Sequence, residues 1–246
     1  MGKNAAFAGG KCSVNQVFSK LRGLRPASFL KAGRSQQMKT DVAGKEKHME
    51  PLLGTDEWSI VEEGFHPRQN RVMESLFSLG NGWMGFRGHF EEDYSGDTLP
   101  GSYLGGVYYP ERVRLPRPKV GLPKSIMRMP NAAHTLGIHV EFDGETLDLA
   151  QCRLREFRRV LQLREGYLER RFLARLKSGK EVQVRVRRFC SMADKEIAVV
   201  RYAIVPLNFS GTLTLTPFID LNVANDSTRG DHYPWVEVET LVRRTH

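Results

Sequence analysis

The stretch GYLERRFLARLKSGKEVQVRVRRFCSM, residues 166–192, alternates apolar and polar side chains on both sides of a Ser178-Gly179-Lys180 turn. A period of two belongs to a strand with one buried and one wet face, and a helix cannot satisfy it. Val182, Val184 and Val186 face one way, while Gln183, Arg185 and Arg187 face the other. The arginines of 183–188 therefore read as the wet face of a half-buried strand. LGIHVEFDGETLDL (136–149) repeats the theme, with Asp143-Gly144 as its hairpin turn. EIAVVRYAIVPLN and GTLTLTPFIDLNVAN add two more strands, split by Asn208–Gly211. LREFRRVLQLRE (154–165) is ambiguous alone, and its neighbours favour an extended reading. The expectation is an all-β chain, a large antiparallel β-sandwich. Residues 99–131, rich in Pro, Gly and basic side chains, read as a long irregular excursion between strands.

The net charge of +9 suggests a polyanion partner until it is located. Eight of the basic residues lie in residues 1–40, which hold no acid, so the remainder is near neutral. The charge thus describes a basic leader, residues 1–56, expected to be disordered, followed by one folded domain over 57–246. No nucleic-acid partner is expected of the domain. No apolar run approaches the roughly 18 residues of a membrane span. Cys12, Cys152 and Cys190 are odd in number, far apart and without a C-x-x-C pair. They predict no metal site and no disulfide framework, a cytoplasmic setting, and Cys152 and Cys190 as small core fillers.

ESLFSLGNGWMGFRGHFEED, residues 74–93, spells G-x-G-x-x-G at Gly80, Gly82 and Gly85. A dinucleotide cradle needs a helix opening at the third glycine, and Gly88 weakens any helix there. The following residues read as hairpins rather than a βαβ unit. The glycines instead predict a tight turn with Asn81 as second turn-former, then a strand pressed against another surface, with Gly80, Asn81, Gly82, Gly85 and Gly88 as a structural motif. Arg87, His89, Glu91 and Glu92 form the polar constellation beside it. They read either as a substrate-proximal pocket lip or as an internal brace of arginine against carboxylate. Glu91 and Glu92 do not suit an acid/base pair, because adjacent strand residues point to opposite faces. No catalytic residue is therefore assigned.

With the nucleotide reading set aside, ESLFSLGNGWMGFRGHFEED resembles the hallmark near the start of glycoside hydrolase family 65. EWSIVEEGF, GSYLGGVYYPE, HVEFDGETLDL, FRRVLQLREGYLERRF, RRFCSMADKEIAVVRYAIVPLNFSG and FIDLNVAND extend the resemblance in order over residues 57–228. The resemblance implies the amino-terminal β-sandwich domain of an inverting phosphorylase or hydrolase of disaccharides such as maltose. It further implies that the general acid and the inorganic phosphate site lie in an (α/α)6 barrel, expected to be absent from a chain ending at His246, which is expected to be inactive alone. No cofactor is implied, phosphate being a co-substrate; a homodimer is. Residues 94–131, with Tyr103, Tyr108 and Tyr109, are the expected reach toward a neighbouring domain or subunit. The other readings are a free-standing carbohydrate-binding sandwich and a truncated product without a role of its own.

Overall fold

The computed structural model describes residues 53–112, 121, 123, 125–221 and 223, with the backbone of two strands nearer the amino terminus. Those strands are β1 (Lys3–Ala6) and β2 (Cys12–Ser19). There follow β3 (Leu53–Thr55), β4 (Ser59–Glu63), helix α1 (Asn70–Leu76), β5 (Leu79–Gly80), β6 (Met84–Phe86) and β7 (Ser102–Leu104). Next come β8 (Tyr109–Arg112), β9 (Ser125–Arg128), β10 (His134–Phe142), β11 (Glu145–Thr146) and β12 (Arg153–Gln162). The series closes with β13 (Tyr167–Arg175), β14 (Glu181–Cys190), β15 (Ile197–Pro206) and β16 (Thr212–Asp220). The basic leader falls mostly outside the described residues; within it β1, β2 and β3 are placed as edge strands.

One antiparallel sheet runs β2-β15-β14-β13-β12-β4-β3 and a second runs β1-β16-β10-β11. Their inner faces share one core. Leu136, Ile138, Val140, Phe142, Leu213 and Leu215 come from the smaller sheet. Phe157, Phe172, Val182, Val184, Val186, Val200 and Ile204 come from the larger. This is the antiparallel sandwich that the alternation predicted. Each turn signal falls where it was read. Asp143 and Gly144 have φ of 53° and 83° between β10 and β11, and Gly179 has φ 89° between β13 and β14. The ambiguous 154–165 stretch is strand β12 over most of its length. Contrary to expectation, the 99–131 excursion is not irregular throughout: β7 pairs with β6, and β8 pairs with β9 in a ribbon, while residues 113–120 lie outside the described residues.

One expectation is corrected. Arg188 shares the parity of Val182, Val184 and Val186 and is 3% exposed, so it faces the core rather than water. The strand alternates without a break, and the protein tolerates the inward charge by surrounding it with acceptors. In β12 the parity itself changes. A bulge between Arg155 and Arg158, with Glu156 at φ 50°, sends Arg159 inward and leaves Arg158 at the surface.

Candidate functional site

The glycine motif forms a hairpin. β5 and β6 pair with Gly80 opposite Gly85, and Gly82 takes φ 81° in the turn. Asn81 Oδ1 accepts hydrogen bonds from the Trp83 and Met84 amides at 3.0 and 2.9 Å. Its Nδ2 donates to the Ser191 and Lys195 carbonyls at 2.7 and 3.0 Å, tying the turn to the end of β14. Gly88 is needed for a different reason: a Cβ there would lie 2.8 Å from Phe77 Cβ and 3.1 Å from its carbonyl. No helix starts at these glycines; α1 precedes them.

Beyond the hairpin, residues 87–93 pass along the edge of β10 with their acids over the inner face of the larger sheet. Ile138 of β10 donates its amide to the Glu91 carbonyl at 2.7 Å. From beneath, the inner face of the larger sheet presents a transverse row of Glu62, Arg159, Arg170, Val186 and Tyr202, each opposite the next in register. Arg170 donates to Glu91 at 2.7 Å and also to Glu92. Arg188 donates to Glu91 at 3.1 Å, to the His89 carbonyl at 3.0 Å and to the Arg87 carbonyl. The Tyr202 hydroxyl donates to Glu92 at 2.6 Å. Arg159 donates to the Gly88 carbonyl at 2.8 Å, and its Nε lies 2.8 Å from Glu62 in an ion pair without a well-directed hydrogen bond. The Phe90 ring meets both neighbouring guanidinium groups, Arg159 at 5.2 and Arg170 at 4.8 Å from its ring centre.

Burial alone would raise the Glu91 carboxyl, but Arg188 and Arg170 outweigh it and hold the group below its ordinary range. Glu62 has weaker help: burial, only partly offset by Arg159, moves it upward. Burial likewise pulls Arg159 down to about 10.

The four residues of the polar constellation therefore part company. Glu91 and Glu92, expected on opposite faces of a strand, instead lie in a bend, where both reach Arg170 of β13 and Glu91 also reaches Arg188 of β14. Arg87 does not join them. It donates to the Leu99 and Arg71 carbonyls, both at 2.9 Å, with Glu74 4.0 Å away. His89 accepts from the Gly101 amide at 3.4 Å and packs edge-on against His134, ring centres 4.8 Å apart. Burial first, then His134 and the surrounding arginines, push His89 well below the ordinary histidine value. Sequence reasoning missed the partners Glu62, Glu74, Arg159, Arg170 and Arg188. Strand parity was the available signal for Arg170 and Arg188. Among the described residues no group of three or more His, Cys, Asp and Glu side chains is placed to hold a metal ion. No helix among them is long and apolar enough to cross a membrane.

Residues 60–245 match the model of the glycosyl hydrolase family 65 N-terminal domain. The chain belongs to family 65. Among its relatives is the maltose phosphorylase of Bacillus subtilis (strain 168), 39% identical over 186 residues, which are 76% of this chain and 24% of that protein. An alpha,alpha-trehalose phosphorylase of Thermoanaerobacter brockii is 32% identical over 182 residues, 73% of this chain and 24% of the relative. The chain thus spans about a quarter of the length of these curated relatives. A solved structure named "Putative kojibiose phosphorylase from human microbiome" shares the fold. It has a TM-score of 0.53 at 22% identity, over 69% of this chain and 33% of that one.

Proposed function

We propose that this family 65 sandwich supports a catalytic domain in an inverting α-glucosyl disaccharide phosphorylase or hydrolase, in a cytoplasmic homodimer. In this reading Arg87, His89, Glu91 and Glu92 brace the corner from which residues 94–131 reach toward the neighbouring domain. The observation that carries it is the fate of the motif acids. An inverting reaction needs a carboxylic acid on one side of the glycosidic bond and, on the other, either attacking phosphate or a carboxylate that activates water. Glu91 and Glu92 instead share one arginine on the inner face of the larger sheet, both at most 5% exposed.

Two experiments test the proposal. The purified chain, incubated with maltose, trehalose or kojibiose and inorganic phosphate, is expected to release no glucose 1-phosphate; release would place the reacting groups in this domain. Residues 60–245, exchanged for the matching part of the Bacillus subtilis maltose phosphorylase, are expected to retain phosphorolysis. A folded, inactive chimera counts against the supporting role.

A further inference from the structure

A cleft of about 680 Å3 opens at one end of the sandwich, where three loops meet. One loop follows β4 and brings Phe65 and Arg68. The second follows the buried acids and brings Tyr94 and Asp97. The third precedes β12 and brings Leu149. Ligand sites favour such loop clusters on a rigid frame, and the volume lies within the roughly 300–1,000 Å3 of small-molecule sites.

The loops are tied before any ligand arrives. Asp148 accepts from the Ser95 amide at 3.1 Å and from the Ala150 amide at 2.9 Å. Leu149 donates its amide to the Asp93 carbonyl at 3.0 Å, and Asn70 donates to the Asp97 carbonyl at 3.1 Å. Little ordering entropy remains for a ligand to overcome.

The lining selects a chemistry. Phe65 and Tyr94 make an apolar corner, ring centres 5.8 Å apart and planes at 80°. Leu149 and Leu154 extend it. The rim carries one cation, Arg68, and one anion, Asp97, which also lies 3.6 Å from Arg71. With Asp97 already paired to Arg71, a doubly charged phosphate ester would meet Arg68 as its one remaining rim cation and leave a charge unbalanced. A wholly apolar ligand would cover both charged groups without replacing their water. A pyranose ring has an apolar C–H face for the aromatic corner and a rim of hydroxyls that donate to Asp97 and accept from Arg68.

We propose that this cleft binds a neutral pyranoside of about disaccharide size through Phe65, Tyr94, Arg68 and Asp97. The binding goes beyond the supporting role above, since its test reads association by this chain alone and needs no turnover.

Isothermal calorimetry on the full chain, with maltose as probe and glucose 1-phosphate as charged comparator, decides it. Maltose is expected to bind, and glucose 1-phosphate more weakly. Arg68→Ala, an exposed change, and Tyr94→Ala are each expected to weaken maltose about ten-fold, the loss of one charge-assisted or stacking contact. Arg171→Ala, on the outer face of β13, is expected to leave binding unchanged; far-ultraviolet dichroism establishes that each variant is folded. The proposal falls if the folded chain gives no heat with maltose, if folded Arg68→Ala binds as the parent does, or if glucose 1-phosphate binds more tightly than maltose.

Discussion

Arg170 and Arg188 reach Glu91 from neighbouring strands, and Arg170 also holds Glu92. Removing one partner strands the others in a low-dielectric interior. Arg170→Met is therefore expected to cost about 3–5 kcal/mol of stability, read as a lower urea midpoint. Arg185→Ala, which breaks an exposed pair with Glu169, is expected to cost about 1 kcal/mol or less. The His89–His134 pair sets a pH dependence. Burial first, and then Arg188, lower His134 to about 4, outweighing Asp220 and Glu91, which act in the opposite direction. His89 is likewise held well below its ordinary value by burial, then by His134, Arg188, Arg87 and Arg170. Above the unfolded value of about 6.5 neither group affects stability. Below it the unfolded chain binds protons that the folded chain refuses, so stability falls as pH drops from about 6.5 toward 4. Urea midpoints at pH 7 and pH 5 are expected to differ in that direction, with a smaller difference in His134→Asn.

At the scale of elements, the β5–β6 hairpin separates two uses of glycine. Gly82 needs its left-handed φ of 81° and has open space around it; Gly88 needs the absence of a Cβ against Phe77 and the Glu74 carbonyl. Gly82→Ala is expected to cost about 1 kcal/mol in backbone strain. Gly88→Ala is expected to cost more, about 1–3 kcal/mol, because the contacts are to backbone and a fixed Cβ. Urea unfolding of the two variants ranks them, and the opposite order would contradict the packing role of Gly88. The β12 bulge acts at the same scale. The sequence Arg158-Arg159 does not say which arginine is buried; an extra residue at Glu156 decides it, and with it the partner of Glu62.

At the scale of the molecule, the two sheets share one apolar core, whereas β8 and β9 pair only with each other among the described residues. All four residues of β9 are exposed, and a lone two-stranded ribbon is marginal in water. The amides of Ile126 and Met127 are expected to exchange roughly a hundredfold or more faster than those of Val184 and Val200, as read by hydrogen exchange. Local sequence was enough for much of this architecture. Alternation set the faces of β13 to β16, Asp143-Gly144 and Gly179 set two turns, and Asn81 with Gly82 set a third, because period and turn chemistry act over a few residues. The pairing of Glu91 with Arg170 and Arg188, across 79 and 97 residues of chain, was beyond such reading. So were the packing of His89 against His134 and the meeting of three loops around Phe65 and Tyr94. Those contacts depend on how two sheets stack and where one strand bulges, and such placements are decided by the folded core as a whole.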